Sequence, residues 1–210
     1  MDIVTDIPEG GKRINIEGKK GESLFHHPVI WVIEKDFNRI KEQNERNNEL
    51  MRRADEERLL AIVSALLMEE ALDLLLGAYI LKYSTLQRQR DFTLFLKIEL
   101  ARSLCVIPKH IIDAAALINS VRNKFAHQIE LDSFGSLDVG TRANLKEKSK
   151  LFYPDDELDR KTAKELFTKV VFGVITALAF YAPHLRDARE YIFSEAFGKE
   201  LDRLLKGKQK

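Results

Sequence analysis

Residues 55–73 read Asp-Glu-Glu-Arg-Leu-Leu-Ala-Ile-Val-Ser-Ala-Leu-Leu-Met-Glu-Glu-Ala-Leu-Asp, and this stretch decides the fold class. Its apolar residues recur at helical spacing. The acidic residues at its start favour a helix N-terminus, and Asp55 is the expected cap. Extended over residues 55–82, the pattern predicts one long amphipathic helix.

Helical periodicity continues on both sides of this segment. It predicts further helices over residues 34–53, 92–104, 108–127, 142–150, 160–182 and 185–205. Pro108 suits the first turn of one helix, Thr141 is the expected cap of the short one, and Pro183 is expected to end another. No segment alternates with a period of two, so we expect no sheet of consequence. The sequence therefore predicts an all-α helix bundle.

Length and composition predict one soluble domain. The 210 residues are 45% hydrophobic and 32% charged, which is typical of a folded soluble chain. We expect a flexible N-terminal arm over residues 1–30, a single helical domain over 31–205 and a basic tail over 206–210. The N-terminal residues lack an apolar signal core, and no run reaches the roughly 18 apolar residues that span a bilayer. This predicts a cytoplasmic protein without a membrane span.

The charge balance excludes a global attraction to nucleic acid or to anionic membranes. The net charge is +1, from 34 basic and 33 acidic residues. Binding of nucleic acid would have to come from a local basic patch. The best candidate is Lys82, Arg88 and Arg90, which stand near Tyr83 and Phe92 and could follow a phosphate backbone. The alternative is a solvated loop between helices.

Metal and cofactor sites lack support in the sequence. The single Cys105 excludes an internal disulfide and a Cys-rich metal site, and its apolar neighbours predict that it is buried. His26 and His27 are adjacent in the predicted arm and lack ligand geometry. No glycine-rich phosphate loop is present. We expect neither a metal nor a cofactor.

One predicted helix places an arginine where its periodicity demands burial. At about 100° per residue, Arg122 falls inside the apolar stripe of Ile111, Ala115, Ile118 and Phe125. An unpaired buried charge is strongly unfavourable, so Arg122 needs an acidic partner.

The helix over residues 55–82 places acids in a similar position. We expect its apolar stripe to consist of Leu59, Val63, Leu66 and Leu67, with Glu70 and Asp73 inside the stripe and Glu69 at its edge. The economical arrangement is that the two helices face each other and that Arg122 pairs with Glu70 or Asp73. A structural ion pair that fixes helix register is the simpler interpretation of that contact.

The segment Ser120-Val-Arg-Asn-Lys-Phe-Ala-His127 resembles the signature of the HEPN superfamily. In that signature an Arg, usually followed by a polar residue, precedes a His near the end of a long helix, with four to six residues between them. Here four residues separate Arg122 from His127, and the polar residue is Asn123. Three further segments are similar to helices of mannitol-operon-repressor-like members: Glu57-Arg-Leu-Leu-Ala-Ile-Val63 with Glu69-Glu-Ala-Leu-Asp73, Phe95-Leu-Lys-Ile-Glu-Leu100 and Leu166-Phe-Thr-Lys-Val-Val171. The resemblance spans residues 55–182.

The resemblance implies a homodimer and, in catalytic members, metal-independent cleavage of RNA in the dimer cleft. Arg122 would hold the scissile phosphate, and His127 would act as general acid or base on the ribose 2′-hydroxyl or the leaving oxygen. Asn123 would orient the phosphate or the histidine. Glu70 or Asp73, with Glu69 beside them, would position Arg122. The candidates for contacts with RNA are Lys82, Arg88, Arg90, Lys97 and Lys124.

Two functions are compatible with these residues. The first is a HEPN-type endoribonuclease of the toxin or stress-response type, acting as a homodimer on RNA and regulated by a protein partner or antitoxin. The second is a non-catalytic regulatory or protein-interaction module of the mannitol-operon-repressor-like branch. Nothing in the sequence resembles a helix-turn-helix with a basic recognition helix, so the name of that branch does not establish binding to DNA.

Overall fold

The computed structural model describes residues 11–13, 31–54, 56–153, 156–192, 194 and 199. Its helices are α1 (Glu34–Arg53), α2 (Glu57–Tyr79), α3 (Tyr83–Gln87), α4 (Leu94–Ser103), α5 (Lys109–His127), α6 (Val139–Phe152) and α7 (Ala163–Ile192). Short 3₁₀ turns cover Phe134–Ser136 and Asp156–Arg160. The prediction of an all-α bundle is confirmed.

Two short strands accompany the helices. Strand β1 (Gly11–Arg13) pairs antiparallel with β2 (Trp31–Ile33), and Lys12 lies opposite Val32. Each strand has three residues, so the helices dominate the fold. The rest of residues 1–30, with His26 and His27, and the basic tail lie outside the described residues. The predicted domain boundaries stay a prediction.

Helix α7 forms the centre of the bundle and packs against α1, α2, α5 and α6. Its residues Phe167, Val170, Val171, Val174 and Leu178 are fully buried. Complete burial of a large apolar side chain contributes about 1.5–3 kcal/mol to folding. By length and composition α7 could cross a membrane, but 72% of its most apolar window is buried inside the protein. The helix is therefore compatible with the core of a soluble protein.

The prediction that Pro183 ends one helix and that another starts at residue 185 is wrong, and most of the predicted helix beyond residue 192 lies outside the described residues. Helix α7 continues through Pro183 to Ile192. Proline removes one backbone hydrogen bond from a helix. Tyr181 and Ala182 are buried before it, and Leu185 packs against the core after it. This packing on both sides compensates for the missing bond.

The predicted apolar stripe of α2 is wrong at two of its four residues. Leu59 and Leu66 are 45% and 60% exposed, whereas Leu67 is buried and Val63 packs partly against the core. The buried face consists of Leu60, Ala61, Ser64, Ala65, Leu67, Met68, Ala71, Leu72, Leu75 and Leu76. Because leucine and alanine occur on nearly every side of α2, periodicity alone could not select the face that packs.

The starts of α2 and α6 differ from the predicted caps. Helix α6 is capped by Asp138, which accepts a hydrogen bond from the Thr141 amide at 2.8 Å, so Thr141 is not the cap. Helix α2 begins after Glu56, which makes no side-chain cap, and Asp55 lies outside the described residues. Cys105 is exposed, not buried. It has a φ of 50° in the turn between α4 and α5 and so continues neither helix.

Candidate functional site

The helix α5, which carries the signature near its end, packs through one face into the hydrophobic core. Ile111, Ala115, Ile118 and Phe125 are all fully buried, which confirms the predicted core stripe of this helix. Phe125 packs against Phe134 with ring centroids 4.8 Å apart, and Phe134 packs against Phe167 at the same distance. Such aromatic contacts stabilise the core beyond their buried area.

Arg58 of α2 fixes the chain that follows His127. Its Nη2 donates to the carbonyl oxygens of Gln128, Ile129 and Leu131, at 3.3, 2.9 and 3.0 Å. Hydrogen bonds that involve a charged group are stronger than neutral ones. The position of His127 is therefore set both by the buried face of α5 and by the clamped loop. Sequence reasoning did not identify Arg58 in this role.

Arg122 does not make the predicted ion pair with Glu70 or Asp73. Its side chain is partly buried, and Nη1 donates to Asn123 Oδ1 at 2.9 Å. Among the described residues, no carboxylate lies within salt-bridge distance of its guanidinium. Partial exposure of Arg122 to water makes an acidic partner less necessary than its central position on the helical wheel suggested.

The acids of α2 are neutralised by other cations. Arg46 of α1 donates through Nη2 to both carboxylate oxygens of Glu70 at 2.8 Å. Lys97 of α4 lies 2.7 Å from Glu69 and 2.8 Å from Asp73. The acids of α2 are therefore compensated by cations of α1 and α4, and not by Arg122 of α5 as predicted.

Lys97 is enclosed and is not available to contact RNA, which corrects that prediction. It is 4% exposed, and its ammonium group lies 5.8 Å from the centroid of the Phe92 ring. Burial by itself would lower the pKa of Lys97, but its hydrogen bonds to Asp73 and Glu69 outweigh burial and raise it. Lys97 is charged and structural.

The buried Tyr83 and the exposed Gln87 complete this polar cluster around Asp73. The Tyr83 hydroxyl donates to Asp73 Oδ1 at 2.6 Å, and Gln87 Nε2 donates to Oδ2 at 3.1 Å. Burial and the hydrogen bond to Asp73 raise the pKa of Tyr83 above its usual range. The carboxylate is thus saturated by partners within the chain, and this excludes a positioning role on Arg122.

The remaining candidates for RNA contacts do not form one basic patch. Lys124 is ion-paired with Asp138 and donates to Thr141 Oγ1 at 2.7 Å. The hydrogen bond from Lys124, followed by those from Thr141, lowers the pKa of Asp138. Lys82 lines a separate cleft beside α2 and α3, whose other charged lining residues are Glu69, Glu70, Asp73 and Arg189. Arg88 and Arg90 are exposed near the end of α3. Contact of these residues with RNA stays a prediction.

His127 lies in a cleft of about 480 Å³ between α4 and α5, which we call the α4–α5 cleft. Its lining residues are Phe95, Ile98, Glu99, Ala116, Asn119, Ser120, Asn123, Lys124, His127 and Gln128. Those from α5 recur every three or four positions and so share one face of the helix. The spacing is visible in the sequence, but we did not predict a cleft from it.

Asn123 contacts Arg122 and lines the same cleft as His127. Arg122 does not line the cleft, whereas Asn123 and His127 do. The Asn123 carbonyl oxygen accepts from Arg122, which leaves its amide nitrogen as the donor end of the side chain. His127 is exposed. The site therefore combines an arginine, an amide and an accessible imidazole around one end of α5.

In the part of the chain that the structure describes, no group of three or more His, Cys, Asp or Glu side chains could hold a metal ion. No family model, curated protein or solved structure significantly matches the chain. The similarity to HEPN proteins therefore rests on the residues quoted from the sequence.

Proposed function

We propose that this protein is a HEPN-type endoribonuclease that acts on RNA as a homodimer, without a metal ion. The observation that supports this most directly is that Arg122 has no acidic partner among the described residues. Its only partner among the described residues is the neutral amide of Asn123, beside a cleft that contains the exposed His127. A guanidinium without an acidic partner keeps its charge and spare N–H donors for a phosphate.

The proposed reaction uses the ribose 2′-hydroxyl as nucleophile. A neutral His127 takes the hydroxyl proton while the 2′ oxygen forms a bond to phosphorus. The bond from phosphorus to the 5′ oxygen breaks, and a protonated imidazole supplies the proton to the leaving oxygen. Arg122 donates to the non-bridging oxygens, on which negative charge increases in the transition state. The products are a 2′,3′-cyclic phosphate and a 5′-hydroxyl.

The proposed site combines residues from two copies of the chain. Arg122 and His127 are five residues apart on α5, which separates them by about 140° around the helix axis and about 7.5 Å along it. Of these two residues, His127 lines the α4–α5 cleft and Arg122 does not. A two-fold axis beside the ends of two α5 helices would bring two arginines and two histidines together.

The test is cleavage of single-stranded RNA in EDTA. Wild-type protein should release products with 2′,3′-cyclic phosphate ends. Arg122→Ala and His127→Ala should each lower the rate by about 100-fold or more. Arg142→Ala, which removes an exposed arginine from α6, is the matched control and should keep the wild-type rate. If the wild type leaves RNA intact, or both variants cleave normally, the proposal is wrong.

Mixing the two inactive variants tests the shared site. If Arg122 acts with the histidine of the other copy, half of the dimers formed by random exchange are mixed, and each contains one intact site. Activity should then return to about a quarter of the wild-type value. If both residues act within one copy, the mixture stays inactive.

A non-catalytic protein-interaction module is the second candidate, and the outer face of α2 favours it. Leu59, Leu66 and Leu74 are 45%, 60% and 49% exposed on this face. Contiguous exposed apolar residues often mark a surface that binds protein. Under this function, Leu66→Lys should abolish the cellular phenotype of the protein, and Arg122→Ala and His127→Ala should leave it unchanged. The opposite pattern supports the nuclease.

A further inference from the structure

We propose that the α4–α5 cleft binds one unstacked base of single-stranded RNA and prefers bases that carry an exocyclic amino group to uracil. This inference rests on the proposed action on RNA. It adds a substrate preference and assigns it to residues outside the Arg122 and His127 pair.

An exposed aromatic ring stands among the lining residues of the cleft. Phe95, near the start of α4, is 57% exposed, although phenylalanine is usually buried. Ile98 from the same helix is 1% exposed and gives the cleft an apolar wall. A flat apolar surface of this kind stacks well with a nucleobase, since every base presents a π face.

Amide groups surround the same space. Asn119 and Asn123 project from one face of α5, and Gln128 follows the helix. Each side-chain amide offers two N–H donors and one carbonyl acceptor. Asparagine and glutamine are the side chains that pair most readily with the donor and acceptor edges of bases. A cleft with three amides is therefore suited to the edge of a base, which presents donors and acceptors side by side.

Glu99 is the residue that would make the cleft prefer bases with an amino group. Its Oε1 accepts from Arg102 Nε at 3.3 Å, an interaction at the long end of the range, and its side chain is 41% exposed. No hydrogen bond to Oε2 is found among the described residues, so this oxygen is available as an acceptor. A carboxylate accepts from the amino groups of cytosine, adenine or guanine. Uracil presents a carbonyl oxygen at the position where cytosine presents its amino group, and this oxygen repels a carboxylate.

Cytosine and uracil give the sharpest comparison, because they have almost the same shape. The probes are fluorescent 12-nucleotide oligomers of cytidine and of uridine, both with 2′-O-methyl groups so that the proposed cleavage cannot occur. Anisotropy titration of the full-length wild type should show tighter binding to the cytidine oligomer. Glu99→Gln should reduce that preference, since the neutral amide no longer repels uracil.

Phe95→Ala tests the stacking surface. It should weaken binding of the cytidine oligomer by about 5- to 150-fold, the range measured for loss of one stacked base. Leu96→Ala is the matched control, because Leu96 is 43% exposed on the same helix but does not line the cleft. This control should bind as the wild type does. Both side chains are exposed, so neither variant should unfold the bundle.

The outcomes separate this inference from the proposed nuclease. Selective binding that depends on Phe95, in a protein that cuts no RNA, would support the base pocket and refute the nuclease. Cleavage of RNA with equal affinity for both oligomers, or with no effect of Phe95→Ala, would refute the base pocket alone. Failure of the wild type to bind either oligomer would refute it as well.

Discussion

The ammonium group of Lys97 lies 2.8 Å from a carboxylate oxygen of Asp73 and links α4 to α2. Glu69 accepts from the same ammonium group at 2.7 Å. The side chain of Lys97 is 6% exposed and that of Asp73 is 18% exposed, so water screens the pair weakly. Within the part of the chain described here, this is the most deeply buried ion pair.

Lys97→Met should lower the free energy of unfolding by about 3 kcal/mol. The substitution leaves the carboxylates of Glu69 and Asp73 without their cation in a partly buried place. Urea denaturation measures the change. Lys109→Met is the control, because Lys109 pairs with Asp113 but is 83% exposed, and it should change stability by about 0.5 kcal/mol or less. Equal losses in the two variants would contradict the role assigned to Lys97.

Arg122→Ala should lower stability by only about 1 kcal/mol. The substitution removes a hydrogen bond to a neutral amide and a partly exposed side chain, and it leaves no buried acid unpaired. Thermal and urea unfolding of the variant measure this. A loss of about 3 kcal/mol or more would restore the idea of a buried ion pair at Arg122. A small loss also ensures that the cleavage assays compare folded proteins.

His110 should make the protein sensitive to mild acid. Burial, with the nearby charge of Lys148, lowers the pKa of His110 below its usual 6.5. The folded state therefore binds this proton less readily than the unfolded state does. The contribution of the neutral imidazole is complete above pH 6.5 and is lost progressively as the pH falls toward the folded-state pKa. NMR titration of the His110 ring should locate the midpoint below 6.5.

Two lysine variants separate the causes of that shift. Lys148→Gln removes the neighbouring positive charge and should raise the midpoint of His110. Lys150→Gln removes an exposed lysine from the same helix and should leave the midpoint unchanged. If Lys150→Gln raised the midpoint and Lys148→Gln did not, the cause assigned to the shift would be wrong.

Gly173→Ala should destabilise the contact between α6 and α7. A Cβ at this position would lie 2.2 Å from Cγ of Phe152, so the ring must move. We expect a loss of about 1–3 kcal/mol, larger than the gain in helix propensity from alanine. At Gly77 the corresponding Cβ would meet Tyr83 at 3.5 Å, an ordinary contact. Gly77→Ala should therefore be neutral or stabilising, and Phe152→Leu should partly rescue Gly173→Ala.

The strongest features of the fold were predictable from local patterns. The predicted bounds of α1 agree with Glu34–Arg53, and Pro108 stands immediately before α5 as expected. Periodicity and helix starts are local properties of the sequence, so they can be predicted without knowing which elements pack together. Helix α3, with five residues, is too short to produce a periodic signal. Continuation through Pro183 depends on packing that the chain acquires only when folded.

The identity of the cation facing Asp73 was not predictable in the same way. Arg122 and Lys97 both stand on helices beside apolar neighbours, and both could reach an acid on α2. The choice depends on which side of α2 faces α4, and an apolar helix leaves that rotation undetermined. The cleft could not be predicted for a similar reason. The face of α5 with Asn119, Asn123 and His127 is apparent from spacing, but Phe95 joins it only through the packing of α4 on α5.

Helix α7 reaches four other helices with one continuous buried surface. No subset of those helices can separate from the rest without exposing this shared surface to water. The bundle should consequently melt as a single cooperative unit, with no hinge between α2, α5 and α6. We therefore expect another molecule to control the α5 end by covering or completing its outer surface, and not by separating the helices.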